Sequence, residues 1–149
     1  IVLARKFPRL RIIATDICDT PIRAAGRNIK KYGLEERIEL RKSNLIDDVP
    51  EAVDLVVSNP PYIAEDFILE PNVADYEPRE ALFGGRVGDE LLKQIIRDVH
   101  QRGIRYLVCE MGYDQKAPIE AFVKDFEIEF IEFYQDLAGF DRGFVIKFA

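Results

Sequence analysis

The sequence predicts an α/β fold of layered helices and strands, on three observations. Apolar residues alternate along the chain between the two-residue period of strands and the 3.6-residue period of helices. Glycine, proline and capping residues punctuate these runs at short intervals. No internal repeat, low-complexity tract or long linker interrupts them. The 149 residues are one domain's worth of chain, and 48% apolar types supply a real core, so a single domain over 1–149 is expected.

Residues 1–7 read as the end of a helix stopped by Pro8. Residues 11–15 form a short strand around Ile12 and Ile13. The next helix has Asp19 or Thr20 as N-cap and Pro21 in its first helical position. Its apolar face is Ile22, Ala25, Ile29 and Tyr32, and Gly33 ends it. Residues 37–41 are a second strand. Residues 53–58 are a third, with an apolar run typical of a strand covered on both faces. A long loop follows from Asn59 to about Gly88, with four prolines and little periodicity; such loops are functional or disordered. Residues 89–102 make a helix with a stripe of Leu91, Leu92, Ile95, Ile96 and Val99, ended by Gly103. Residues 104–109 are a fourth strand, and 115–126 a helix with Pro118 in its first turn. Residues 127–134 and 144–148 read as two strands joined by a loop containing Gly139 and Gly143, an antiparallel hairpin at one side of the sheet.

Composition excludes several classes of function. No apolar run approaches the roughly 18 residues of a membrane span, and no signal segment opens the chain. Two cysteines, Cys18 and Cys109, cannot build a disulfide framework, which points to a reducing, cytoplasmic setting. Both read as small packing residues. Metal-ligand spacing is absent and no metal is expected. The one histidine, His100, reads as a solvated or helix-terminal residue. Glu127, Glu129 and Glu132 read as a solvated strand face. The net charge of −6 disfavours stable nucleic-acid binding.

Parallel βαβ units place ligand groups at the carboxyl ends of their strands, where Asp16, Asn44 and Asn59 stand. Asp16 is suited to accept the two hydroxyls of a ribose; the plainer alternative is helix capping. Asn44 falls where the base of a nucleotide-like cofactor would lie, or is a polar turn residue. The sharpest feature is Asn59-Pro60-Pro61-Tyr62. Each proline fixes its own φ and holds the residue before it extended, so the pair builds a stiff corner. If the Asn59 side-chain oxygen and the Pro60 carbonyl each accept one N–H of a planar NH₂ group, its nitrogen is pinned. The face of that nitrogen can then meet an electrophilic methyl group, with the Tyr62 ring covering the planar group. Fixed acceptors around a nitrogen that grows more positive in the transition state accelerate transfer without histidine or metal. The plainer alternative is a proline turn closing a strand. Further on, Glu77 could accept a hydrogen bond from substrate, and Gly84-Gly85 permit unusual backbone angles.

Taken together, several segments resemble the PrmC/HemK proteins. They are Ala14-Thr15-Asp16-Ile17, Val53-Asp54-Leu55-Val56-Val57-Ser58-Asn59-Pro60-Pro61-Tyr62-Ile63, and Tyr76-Glu77-Pro78 with Ala81-Leu82 and Gly84-Gly85. Glu110-Met111-Gly112 and Asp136-Leu137-Ala138-Gly139 with Arg142 also fit, so the resemblance covers nearly the whole chain. These are S-adenosylmethionine-dependent methyltransferases of the glutamine in the Gly-Gly-Gln loop of peptide-chain release factors. The resemblance implies a doubly wound, Rossmann-like class I methyltransferase sheet with an antiparallel C-terminal hairpin. It implies cofactor contacts from Asp16, Ile17, Asn44, Leu45 and Asn59. It makes Asn59, Pro60, Pro61 and Tyr62 catalytic, and Asn59, Pro60, Tyr62, Glu77 and Pro78 the substrate pocket. The family has an acidic residue near position 44, where this chain has Asn44. The Asn-Pro-Pro-Tyr motif is shared with adenine-amine methyltransferases of DNA or RNA, which remain an alternative; the loop from Glu77 to Gly85 favours the glutamine amide. A third alternative is a non-catalytic binding remnant.

The family opens this domain with a strand and glycine-rich loop that the chain lacks before its mid-helix start at Ile1, so 1–149 reads as a partial catalytic domain. The missing strand would leave two unpaired strand edges. The chain alone is therefore expected to bind S-adenosylmethionine weakly, and calorimetric titration giving micromolar affinity would overturn that expectation.

Overall fold

A computed structural model describes residues 1–69 and 78–149. The chain divides into two compact units, Ile1–Glu51 and Ala52–Ala149.

The first unit is a βαβ element preceded by a short helix. Helix α1 (Val2–Lys6) leads to strand β1 (Ile12–Asp16), helix α2 (Asp19–Lys31) and strand β2 (Ile38–Lys42). The strands pair in parallel, from Ile12 opposite Ile38 to Asp16 opposite Lys42. Ala4, Ile29, Leu34 and Ile38 form the buried centre, with Ile1, Ile12, Ala14 and Leu40 packed on it. Helix α2 ends on Gly33 at φ 62°, where the Leu34 N–H reaches the Ile29 carbonyl and the Gly33 N–H the Lys30 carbonyl. This left-handed exit satisfies two terminal carbonyls and buries Leu34 beside Ile29. The start of α2 departs from expectation. Its N-cap is Cys18, and Pro21 is the third helical residue. The Asp16 side chain takes the Cys18 N–H and turns the chain one residue early; proline is still tolerated there because first-turn N–H groups have no helical partner. Arg37 crosses the unit to donate to the carbonyls of Ala4 (2.7 Å), Pro8 (3.0 Å) and Phe7 (3.3 Å), closing the open end of α1.

The second unit is built on a four-stranded sheet in the order β3-β6-β8-β7. Strand β3 (Leu55–Ser58) runs parallel to β6 (Tyr106–Glu110). Strand β8 (Asp141–Phe148) lies antiparallel to both β6 and β7 (Ile128–Gln135). The expected hairpin thus forms, with its second arm inserted beside β6. Helix α3 (Glu90–Gln101) buries Leu92, Ile95, Ile96 and Val99, and helix α4 (Lys116–Phe122) buries Ile119. They join Leu107, Cys109, Met111, Phe144 and Ile146, all of which are fully buried. Burial pushes the Cys109 thiol well above its usual range.

Three expectations need correction, two in this unit and one in the first. Strand β3 is covered on one face: Val56 is buried, while Leu55 and Val57, whose side chains point to the opposite face, are exposed. The loop after Asn59 is not structureless. Strand β4 (Ile63–Ala64) pairs in parallel with β5 (Phe83–Gly85), and a 3₁₀ turn spans Arg79–Ala81. His100 stands in the last turn of α3, as the helix-terminal reading expects, and there packs edge-on to Phe126 and tilted against Phe148, at 5.1 and 5.5 Å between ring centres. Cys18, in the first unit, is exposed rather than packed. Glu127, Glu129 and Glu132 are exposed as expected. Among the described residues, no helix is long and apolar enough to cross a membrane.

Candidate functional site

The first unit offers a carboxylate and a strained turn at the ends of its two strands. Asp16 closes β1, and its Oδ1 accepts the Cys18 N–H at 2.8 Å. Among the described residues Oδ2 accepts no hydrogen bond, so one carboxylate oxygen orients the side chain and the other is open to a ligand hydroxyl. The Asp16 carbonyl takes the Ser43 N–H at 3.0 Å, and the Thr15 hydroxyl donates to the Leu45 carbonyl at 2.7 Å. These bonds tie the ends of both strands together. Ile17, beyond Asp16, is exposed.

Leu45 has φ 47°, the one non-glycine residue in the left-handed region among those described. A leucine held there costs about 1 kcal/mol, and such strain concentrates where a backbone is shaped for a ligand. Asn44 makes the turn contacts that the sequence reading held as its alternative. Its Nδ2 donates to Asp47 at 3.2 Å and its carbonyl takes the Asp47 N–H at 3.0 Å. It is the organiser of a turn, and an asparagine does this by the same geometry that would have made it a ligand contact.

In the second unit the Asn-Pro-Pro-Tyr corner leaves β3 and enters β4. Asn59 is exposed, and its amide makes no hydrogen bond among the described residues. Pro60 is buried and anchors the corner. Three glycines let the following loop close over it. A Cβ on Gly84 would collide with the Pro61 carbonyl oxygen and lie 2.5 Å from the Gly88 oxygen. A Cβ on Gly88 (φ 94°) would lie 2.6 Å from the Tyr62 oxygen. Gly84 is therefore needed for room; Gly85, at φ 124°, is needed for its angle as expected. The loop is held by Glu90, whose carboxylate accepts the N–H groups of Val87 (2.9 Å) and Gly88 (2.8 Å). Burial alone would raise the Glu90 pKa, but the N–H groups of Val87, Glu90 and Gly88 prevail and lower it.

Tyr62 is fixed at both ends. Its hydroxyl donates to Glu110 Oε1 at 3.3 Å, and its carbonyl accepts from Gln115 Nε2 at 2.9 Å. Arg142 is ion-paired to Asp136 (2.8 Å) at the tip of the β7–β8 hairpin. That pairing holds the Asp136 carboxyl below its usual range. Gly143 faces the Tyr134 hydroxyl and the Cys109 carbonyl with no room for a side chain. Burial, then the nearby Glu110 and Cys109, raise the Tyr134 pKa.

Of the expected substrate residues, Asn59, Pro60 and Tyr62 thus share one corner with Pro61. Pro78 is exposed and begins the 3₁₀ turn. Glu77 and Tyr76 lie outside the described residues. Gly88, Glu90 and Gln115 escaped the sequence reading. Gly88-Asp89-Glu90 reads as an ordinary helix start, and Gln115 as an ordinary helix residue; the Gly112-to-Gln115 spacing is the signal that could have singled out the latter. No group of three metal-ligating side chains occurs among the described residues.

Comparison with known proteins gives the family and the fold. The family described as methyltransferase small domain matches residues 1–75. The release factor glutamine methyltransferase of Clostridium botulinum is 38% identical over 145 residues, covering 91% of this chain and 50% of the relative. The ribosomal protein uL3 glutamine methyltransferase of Bradyrhizobium diazoefficiens is 33% identical over 126 residues, covering 82% and 40%. The chain spans about half the length of the curated relatives it matches. Among solved structures, the N-terminal domain of human METTL16 in complex with SAH aligns at TM-score 0.70 and 20% identity, covering 99% of this chain and 56% of that one. The fold is that of a class I, Rossmann-like methyltransferase.

Proposed function

Because the chain belongs to the methyltransferase small domain family, we propose that it is the catalytic part of an S-adenosylmethionine-dependent enzyme that methylates a glutamine side-chain amide. The substrate is the Gly-Gly-Gln loop of a peptide-chain release factor, and the setting is the cytoplasm, where that substrate works. Residues 1–149 belong to one catalytic domain. The observation that carries the reading is the Asn59 amide, exposed and without a partner among the described residues, on a corner where Pro60 is buried and Tyr62 is held at both ends by hydrogen bonds.

S-adenosylmethionine, when bound, supplies an electrophilic methyl group. Asp16 Oδ2 would accept from its ribose, Ile17 and the Leu45 backbone would border its nucleoside, and Asn44 would hold the turn that presents Leu45. Asn59 Oδ1 and the Pro60 carbonyl each accept one N–H of the substrate amide, and Tyr62 covers its plane. A primary amide nitrogen is a poor nucleophile because its lone pair is delocalised. Fixed acceptors pin the nitrogen with one face left open to a methyl donor and bind its N–H groups more strongly as positive charge develops there. Pro78, exposed at the start of the 3₁₀ turn, would border the substrate. The names of the relatives support glutamine over adenine as the acceptor.

The test is transfer of labelled methyl from S-adenosylmethionine by the full-length protein that carries this chain. Label is expected on the glutamine of a release factor. Label on ribosomal protein uL3 instead would keep the chemistry and change the substrate. Label on an adenine-containing nucleic acid would overturn the glutamine assignment, and no transfer to any acceptor would overturn the catalytic reading. For the cofactor side, Asp16→Asn keeps the oxygen that accepts the Cys18 N–H but loses the charged acceptor. Its affinity for S-adenosylmethionine is expected to fall about 10- to 100-fold, read by equilibrium dialysis. Unchanged affinity would remove Asp16 from the site.

A further inference from the structure

We propose that Gln115 is a positioning residue for methyl transfer, acting through the backbone of Tyr62; this rests on the amide-binding reading of the Asn59 corner. Gln115 is the residue just before α4, and its side chain is only 6% exposed. A buried primary amide must find partners for both its oxygen and its nitrogen. Here the two ends reach different segments. Oε1 accepts the Gly112 N–H at 2.9 Å, in the turn after β6. Nε2 donates to the Tyr62 carbonyl at 2.9 Å, at the end of the Asn-Pro-Pro-Tyr corner. The amide orientation follows from these partners, since an N–H must meet an oxygen and a carbonyl must meet an N–H.

The side chain itself has little freedom. The Gln115 N–H donates to the Gly112 carbonyl at 3.1 Å, and the Gln115 carbonyl accepts the Ile119 N–H at 3.1 Å. Its backbone is therefore fixed by the turn on one side and by α4 on the other. Gly112 is also tight against it: a Cβ there would stand 3.3 Å from Gln115 Oε1. The proline pair stiffens the corner internally but does not set where the corner sits against the sheet. The Gln115 clamp does so, one residue beyond the prolines, and the Tyr62 hydroxyl bond to Glu110 at 3.3 Å holds the ring of the same residue against the end of β6. Gln115 touches neither substrate nor cofactor. Its effect is on the direction in which Asn59, Pro60 and Tyr62 face.

Two variants separate the two ends of the amide. Gln115→Glu keeps an oxygen for the Gly112 N–H but sets a second oxygen against the Tyr62 carbonyl. Gln115→Met keeps the volume and loses both bonds. In the full-length protein, both are expected to lower kcat for glutamine methylation about tenfold or more, with KM for S-adenosylmethionine changed less than about twofold. Hydrogen exchange supplies a readout that needs no turnover. The Ile63 N–H, bonded to the Leu82 carbonyl at 2.9 Å, is the first amide after the clamp. It should exchange faster in both variants, whereas the Gly112 amide should lose protection in Gln115→Met and keep it in Gln115→Glu. Ile63 exchange unchanged in Gln115→Glu overturns the clamp. Faster exchange with kcat unchanged overturns its role in transfer. If the parent protein transfers no methyl to glutamine, the functional reading fails, and the exchange result still decides whether Gln115 sets the corner.

Discussion

Asn59→Ala is expected to lower kcat for glutamine methylation by about 10²- to 10³-fold, the usual loss when one preorganised partner of a developing charge is removed. That corresponds to about 2.7–4 kcal/mol of transition-state stabilisation. Stability should barely change, because Asn59 is exposed and its side chain has no hydrogen bond among the described residues. Activity and folding are therefore separable at this position. Asn59→Asp should retain more activity than Asn59→Ala, since the carboxylate still offers an acceptor at the same reach. The measurement is single-turnover transfer at saturating S-adenosylmethionine, beside a urea unfolding curve for each variant. Wild-type kcat in Asn59→Ala, or an aspartate no better than alanine, would remove the acceptor role.

Gly84→Ala is expected to destabilise the protein by about 3 kcal/mol, the upper part of the range for overpacking. The reason is local and specific. The new methyl would enter the space of the Pro61 carbonyl oxygen and stand 2.5 Å from the Gly88 oxygen, and both obstacles are backbone. Side chains can rotate away, but these carbonyls belong to a proline corner and to a loop pinned by Glu90. Relief requires moving the corner itself, so methyl transfer should fall with stability. Gly33→Ala is the useful contrast. Gly33 has nothing within 4 Å of its Cβ position but sits at φ 62°, so its loss should cost about 1 kcal/mol from backbone angle alone. Urea midpoints compare the two. A Gly84→Ala variant no less stable than Gly33→Ala would show that the corner yields.

Elements with a strong period were legible in the chain. The stripe Leu92, Ile95, Ile96 and Val99 can be buried together only on a helix, and it is. Gly33 and Gly103 mark helix ends because both adopt the left-handed exit that glycine allows. Other features depended on neighbours. The run from Val53 to Val57 does not say how many sheet faces are covered, and β3 turned out to expose Leu55 and Val57. The residues after Asn59 lack a period because β4 and β5 are too short to repeat one, two and three residues each. An asparagine serves a turn or a ligand with the same groups, so the turn role of Asn44 showed only in its bond to Asp47.

The site divides in the same way. Asn59, Pro60, Pro61 and Tyr62 are contiguous, and proline stiffness is a property of the chain itself, so local sequence was sufficient to identify the corner. What holds that corner comes from 23 to 53 residues further along: Gly84, Gly88, Glu110 and Gln115 reach it through a carbonyl oxygen, a phenol hydroxyl and a buried amide. A hydrogen bond or a close approach between distant segments leaves no periodic trace in either one. The chain by itself determined which groups could face a substrate, because that is covalent chemistry and local stiffness. Tertiary packing decided where those groups are held, because direction is set by contacts that only folding brings together.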